Sequence, residues 1–567
     1  MESKSVRIRI LWIATALVVS VYVGRLYWLQ VINHETYADE ASRQYGSVSG
    51  RVYNRGSIYF SERDGGLIAA ASLRSGYLLA VNPSLIEDPA SVEQVLEKSI
   101  PGGFSTSTKA RLLKSDDTYE EIAHRLTDEQ ASSIEALDAP WSILVREKWR
   151  FYPGGRLASN VLGLVGYQGD EFSGRYGLER YYEDALSRSQ SDVYRNFFTE
   201  IFSKAKGAIR DGLKGDIIST IEPNVQRSLE QTLQGLKNEW GPEALGGIII
   251  DPKTGAIYGL ATYPDFDPNS FSNEEEVFVF ANPFVENVYE MGSIIKPITM
   301  AIGLDTGSVS ATTTYNDEGY LVLDTKRIAN FDGKGRGVVS MQEVLNQSLN
   351  TGVAFVEQRV GNKRFAEYMR LFGFGEETGI DLPGETHGLI NNLDSPRTIE
   401  YATASYGQGI ALTPIATVRA LSALGNGGWL VTPHLVKQIR YESGVTRSVA
   451  PENKTRVISR QTSEEISRML SVVYDDALLN GSVKMENYSI AAKTGTAQIA
   501  KEEGGGYYED RYLHSFFGYF PAYDPQFLVF FYMVNPREVF YASQTLTMPF
   551  VDTTKFLINY YNIPPDR

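Results

Sequence analysis

The stretch YSIAAKTGTAQI at 488–499, with HSFFGYFP at 514–521 and QFLVFFYMV at 526–534 behind it, reads as three successive strands. Working outward, Gly246–Asp251 and Ala256–Thr262 read as two more strands, joined at the turn cluster Pro252-Lys253-Thr254-Gly255. Ile217–Ile221 reads as a strand and Val225–Leu236 as a helix. Several helical stretches fill 290–425. Strands first, helices in the middle and strands last describe an α+β fold, with one central antiparallel sheet flanked by helices, over 213–567.

Upstream of a boundary near 212 the texture differs. Arg51–Tyr59 and Gly76–Val81 read as strands, and 84–137 carries charged segments with helical spacing. These features predict a mixed α/β domain over 33–212, within which 189–209 reads equally as a helix or a hairpin. There is no internal repeat and no low-complexity tract.

The first residues have a third character. Lys4, Arg7 and Arg9 precede fifteen uncharged, mostly apolar residues from Ile10 to Gly24; Arg25 interrupts and an apolar run resumes to Ile32. As one helix, 10–32 is about 34 Å long, enough for a hydrocarbon core of roughly 30 Å. Arg25 would snorkel to the headgroups beside Tyr27 and Trp28. The expectation is a single-pass anchor with residues 1–9 as a cytoplasmic tail and the remainder extracytoplasmic, by the positive-inside rule. The competing reading, a cleaved signal peptide, lacks a small-x-small cleavage site just after the segment.

Composition removes whole classes of chemistry. The chain has 567 residues, no Cys, five His, 54 Lys plus Arg and 69 Asp plus Glu, for a formal net charge of −15. Without Cys there is no disulfide framework, thiol nucleophile, Cys-ligated zinc or iron–sulfur cluster. The scattered His form no local metal motif, so neither a metal nor another cofactor is expected. The negative balance argues against a nucleic-acid partner held by phosphate contacts.

A serine nucleophile needs a base, and lysine is the alternative to histidine. Ser-x-x-Lys occurs at Ser203–Lys206 and at Ser293-Ile294-Ile295-Lys296. On a helix these positions share a face, so hydroxyl and amine can meet. The first copy sits in a charge-rich stretch; the second follows Gly292 and has apolar neighbours, with Pro297 tolerable if a helix begins near Ser293. Lys-Thr-Gly likewise occurs twice, at the 253–255 turn and as Lys493-Thr494-Gly495-Thr496, where a central Gly would let a ligand's backbone approach a strand. Ser348-Leu349-Asn350 lies between. Each motif alone is ordinary: a helix cap at Ser293 or Ser348, a bland strand at 493. Their succession, 55 and then 145 residues apart, is what raises the odds.

In form and order these motifs resemble those of the penicillin-binding protein and serine β-lactamase superfamily. More of the chain is similar to the class B penicillin-binding proteins, which are monofunctional and membrane-anchored. The similar stretches are Arg55-Gly56-Ser57-Ile58, Arg150-Phe151-Tyr152-Pro153 with Gly163 and Gly166, Gly174–Glu179, Gly247–Asp267, Tyr406-Gly407-Gln408-Gly409 and Ser515–Gly518. Met291 stands where Pro is usual, Phe60-Ser61 are extra, and 187–212 matches poorly.

The resemblance implies a D,D-transpeptidase that cross-links peptidoglycan stem peptides through an acyl-enzyme and is acylated by β-lactams. Ser293 would be the nucleophile and Lys296 its base, with a pKa lowered by burial and by Lys493. Ser348 would carry the proton to the leaving amine, and Asn350 would orient Lys296 and the substrate amide. Thr494 and Thr496 hydroxyls, with Lys493 and beside Gly495, would hold the terminal carboxylate, and the N–H groups of Ser293 and Thr496 would form the oxyanion hole. It also implies a pedestal over 33–212, residence in the cytoplasmic membrane and a polytopic glycosyltransferase partner of the SEDS type within the divisome or elongasome. The Tyr-Gly-Gln-Gly form leans to the septal branch. Other classes with the same motifs are a β-lactam hydrolase, a β-lactam sensor and a catalytically weak scaffold.

Overall fold

The computed structural model describes residues 54–100, 104–168, 171–188, 214–451, 454–501 and 504–567. The anchor expected at 10–32, the Ser203–Lys206 copy and the 189–209 segment lie outside the described residues. Among the described residues no helix is long and apolar enough to cross a membrane.

Phe527–Val534, FLVFFYMV, is buried along seven of its eight residues. A strand this apolar on both faces needs a layer on each side. It is the middle of a five-stranded antiparallel sheet, and the numbering here follows chain order: β1 Ala244–Ile250, β2 Ile257–Tyr263, β3 Ala491–Ala500, β4 Tyr507–Phe520 and β5 Phe527–Val534. The spatial order is β3-β4-β5-β1-β2, which leaves β3 at an edge. Alternate residues serve opposite cores. Phe516, Val529, Phe531 and Met533 pack with helices α1 Pro223–Trp240 and α6 Thr547–Tyr561. Phe517, Leu528, Phe530 and Tyr532 face the larger cluster, which includes α2 Lys296–Asp305, α3 Asn350–Val360, α4 Pro414–Gly425 and α5 Arg460–Val472.

The strands at 488–499, 514–521 and 526–534 and the pair joined at 252–255 therefore appear as expected, within a few residues. The stretch 290–425 is not wholly helical. Thr314–Asp317 pairs with Gly337–Ser340, and Tyr320–Leu323 with Lys326–Ala329, in two short antiparallel ladders. Their apolar signal is weak because half of these residues are exposed and only Asp317 and Ile328 are buried.

Contacts divide the described chain into two units, neither of which follows a boundary near 212. The smaller comprises 74–149 and holds a core of Leu79, Val81, Leu96, Leu126 and Ile134 between strands and the helices Pro89–Ser99 and Asp128–Glu135. The larger contains the five-stranded sheet together with 55–73 and 150–188, segments that the sequence reading assigned to the pedestal. Two physical ties explain the difference. Ile58–Ser61 pairs parallel to Gly215–Ser219. Arg55 and Arg150, both buried, meet the buried Glu179 at 2.6 Å in an ion cluster that the part-exposed Glu183, Tyr152 Oη and the Gly56 carbonyl complete. The Arg55, Arg150 and Glu179 signatures, far apart in sequence, are thus parts of one construction.

Candidate active site

Ser293 sits in the 3₁₀ turn Gly292–Ile295, and the Lys296 N–H bonds back to the Ser293 carbonyl as α2 begins. Pro297 falls in the first turn of α2, where a missing N–H costs nothing. This is the arrangement predicted for a helix starting near Ser293. Ser293 and Lys296 open onto a cleft of about 610 Å³, which Ser348, Asn350, Thr494 and Thr496 also line.

Two amines converge on one hydroxyl. Lys296 Nζ donates to the Ser348 carbonyl at 2.5 Å and to Ser348 Oγ at 3.1 Å, and Lys493 Nζ donates to the same Oγ at 3.1 Å. Lys296 is 1% exposed and Lys493 4%. Burial, then the charge of Lys493, holds the Lys296 amine well below its usual range. Burial pushes Lys493 down to about 8. Ser348 occupies this position with a left-handed φ of +55°, which costs a non-Gly residue of order 1–3 kcal/mol. A neutral amine beside a hydroxyl, with a second ammonium behind it, can take up and pass on a proton.

Asn350 lines the cleft but does not orient Lys296. Its Nδ2 donates to the Ala329 carbonyl at 2.9 Å, and Ser348 supplies the hydrogen bonds to the Lys296 amine. Ala329 and Asn330 are fixed in turn by a buried network in which Asn330 and Thr351 donate to Asp317.

On β3, Thr494, Thr496 and Gln498 alternate onto the cleft. Lys493 Nζ reaches the Thr494 carbonyl at 3.1 Å, so that carbonyl turns away from β4. Backbone groups two residues apart on a strand share a direction, which points the Thr496 N–H into the cleft at this free edge. Gly495 has a different role from the one its type suggested. A Cβ there would lie 2.3 Å from Ser515 Oγ and 3.0 Å from both the Met291 carbonyl and Ile294. The missing side chain admits the turn that carries Ser293, not a ligand. Gly495→Ala is expected to displace that turn and lower the rate of acylation about 10- to 100-fold. Ser515→Ala, which removes the nearest obstacle, should restore part of it; equal rates for Gly495→Ala and the parent would contradict this packing.

The Tyr406–Gly409 segment backs the same turn. Gly292 N–H donates to the Gly407 carbonyl at 3.1 Å, and a Cβ on Gly407 would lie 2.4 Å from the Gly292 carbonyl oxygen. Glu290 accepts from Gly409 N–H at 3.0 Å and from Tyr507 Oη at 2.9 Å, which joins this wall to the β3–β4 hairpin.

Several cleft residues carried no signal in sequence. Phe540, Tyr541 and Ser543 form one wall and Arg327 and Phe331 another. The Phe331 and Tyr541 rings meet edge-on, 5.9 Å apart. His514, on β4, is buried; its ring nitrogens lie 2.9 Å from Thr545 Oγ1 and 3.2 Å from the Phe540 carbonyl, and burial pushes its pKa down to about 4. It braces the 540–545 wall as a neutral ring. Gln498 follows from its spacing of two from Thr496, and Tyr406 and Gln408 bring the Tyr-Gly-Gln-Gly stretch to the cleft.

Comparison with known proteins agrees with this geometry. A model of the penicillin-binding protein transpeptidase domain matches residues 246–552. Stage V sporulation protein D of Bacillus subtilis is 31% identical over 543 residues, which are 93% of this chain and 81% of that protein. The peptidoglycan D,D-transpeptidase FtsI homolog of Mesostigma viride is 27% identical over 590 residues, 99% of this chain and 96% of its own. Among solved structures, penicillin-binding protein 3 of Mycobacterium tuberculosis complexed with aztreonam superimposes with a TM-score of 0.69 at 22% identity, over 91% of this chain and 98% of its own. With the family's domain occupying more than half of the sequence, the chain belongs to the penicillin-binding protein transpeptidase family, among its class B members.

Proposed function

We propose the following reaction for this peptidoglycan D,D-transpeptidase. Ser293 Oγ attacks the carbonyl of a terminal D-Ala-D-Ala bond while Lys296 takes its proton. The N–H groups of Ser293 and Thr496 receive the oxyanion; in other enzymes the loss of one such donor costs roughly 10²–10³ in rate. Ser348 passes a proton to the leaving amine, the C–N bond breaks, and D-Ala departs. Lys493, with the Thr494 and Thr496 hydroxyls, holds the terminal carboxylate. An amine of a neighbouring stem then attacks the Ser293 ester, and Ser293 recovers its proton. β-Lactams acylate Ser293 by the same route.

The observation that carries this reading is the convergence of the Lys296 and Lys493 amines on Ser348 Oγ in the cleft that Ser293 lines. A labelled β-lactam followed by peptide mass spectrometry tests it. Label is expected on Ser293 and absent from Ser293→Ala; label on another residue would overturn the assignment.

The chain is anchored in the cytoplasmic membrane by 10–32, with its catalytic unit outside, a reading supported by the apolar run and its basic flank. Protease added to intact spheroplasts should digest the catalytic unit; protection would refute that topology. A SEDS-type glycosyltransferase is its partner, and substitutions within 150–180 should uncouple the two. Its role is septal, supported by the Tyr406-Gly407-Gln408-Gly409 form. Depletion should give filaments, whereas rounded cells would assign it to elongation.

A further inference from the structure

Thr496 and His514 stand directly opposite each other in the β3–β4 ladder, so their side chains leave the sheet on the same face. The segment 540–545, one wall of the cleft, is hydrogen-bonded to both of them. Thr496 Oγ1 accepts from the Ala542 N–H at 3.1 Å. The His514 ring holds the Phe540 carbonyl through Nε2 and Thr545 Oγ1 through Nδ1. Those two residues lie on either side of Ala542. The buried imidazole therefore clamps both ends of the segment whose middle supplies an N–H to Thr496.

The partners fix the tautomer. A carbonyl oxygen only accepts, so Nε2 carries the proton, and in the neutral ring Nδ1 accepts from the Thr545 hydroxyl. The same accounting applies to Thr496. A hydroxyl has one hydrogen and two lone pairs. The Ala542 N–H occupies a lone pair, and among the described residues no protein acceptor takes the hydroxyl hydrogen. That hydrogen is left for a group in the cleft that Thr496 lines. A hydroxyl that already accepts one hydrogen bond is polarised into a better donor.

We propose that His514 is a positioning residue for donor recognition. By clamping 540–545 it presents the Thr496 hydroxyl as a hydrogen-bond donor, and so sets the preference for donor substrates that end in a carboxylate. The inference rests on the reaction proposed above, in which Thr496 helps to hold that carboxylate. His514 lies outside the cleft lining and acts only through the wall and Thr496. An ionised carboxylate gains more from an aimed O–H than a neutral ester oxygen does. Loss of the clamp should accordingly be felt by charged donors and not by neutral ones.

The test compares two donors on the detergent-solubilised full chain: a peptide thioester ending in D-Ala-thioglycolate, and its methyl ester. The parent is expected to be acylated faster by the free carboxylate. Ala542→Pro removes the N–H alone. Ala542 is the first residue of the short helix Ala542–Thr545, where the fixed φ of Pro fits, and Tyr541 before it is already extended at φ −114° and ψ 130°. In this variant acylation by the carboxylate donor should fall about tenfold, with the methyl ester unchanged. His514→Leu should reproduce that split, and His514→Gln, which keeps one donor and one acceptor, should recover most of the preference. Thr545→Val removes one arm of the clamp at constant shape and takes the place of His514→Leu if that variant does not fold. Equal losses for the two donors, or an unchanged preference in the folded variants, would overturn the proposal. A parent with no preference for the carboxylate would instead refute the underlying role of Lys493, Thr494 and Thr496.

Discussion

Replacing Lys296 by Met should lower the rate of Ser293 acylation by about 10²–10⁴-fold while leaving the folded state intact, because a positioned general base contributes that much. The side chain is buried and, among the described residues, carries the only amine within hydrogen-bond reach of Ser348 besides Lys493. Met keeps its apolar bulk and removes a group that burial already disfavours in its charged form. The pH profile sharpens the prediction. Lys296 acts as a base only when neutral, so acylation rises with pH through its depressed pKa. Lys493 holds the carboxylate only when charged, so the rate falls again near pH 8. Lys493→Met should abolish the alkaline limb. It should also move the acid limb to higher pH, since the cation that repels a proton from Lys296 is gone. Stopped-flow labelling with a fluorescent β-lactam across pH reads both limbs. An acid limb that stays in place in Lys493→Met would show that the two amines are not coupled.

The parts of the site that could be read in the sequence are those set by local chemistry. Ser293 and Lys296 are one turn apart, and Lys493 through Thr496 are consecutive on a strand, so their spacing alone predicts who can meet. The strands of the central sheet were legible for a related reason. FLVFFYMV at 527–534 has no polar face to offer solvent and must lie between two layers. What escaped reading depends on contacts across long separations. Asn350 was expected to reach Lys296 because they share a motif set; the hairpin that brings Ala329 to it is exposed and weakly patterned. Gly495 was read against a ligand because its partner, the Met291–Ile294 turn, is about two hundred residues away. His514 looked like a leftover among five scattered His, and its bond to Thr545 becomes visible only once the chain after β5 folds back. The 212 boundary failed in the same way, since composition changes there while the ion cluster of Arg55, Arg150 and Glu179 crosses it.

Glu179→Ala is expected to cost about 3–5 kcal/mol of stability, because it takes the counter-charge from the buried Arg150 guanidinium and one of two paired carboxylates from Arg55. Arg55 Nε and Arg150 Nε each lose a carboxylate oxygen at 2.6 Å, and Tyr152 Oη loses its acceptor. Glu183 remains for Arg55, but no second carboxylate faces Arg150 among the described ion pairs. Glu179→Gln tests charge against shape, and it should be nearly as destabilising, since the amide keeps the volume and removes the counter-charge. Burial opposes ionisation of Glu179, but the Arg150 and Arg55 charges outweigh it and hold the carboxyl below its usual range. The stability it contributes is therefore present above the ordinary Glu value of about 4.3 and is lost as pH falls through the depressed folded value. The acid arm of the melting curve against pH should accordingly be steeper in the parent than in Glu179→Gln. Thermal melts at neutral pH should drop by about 3–6 °C in either variant. Below the melting transition, acylation per folded molecule should match the parent, because the cluster lies outside the cleft lining. A drop of only a degree or two would mean that water reaches the guanidiniums, and a selective loss of acylation without a drop would mean that the cluster acts on the site itself.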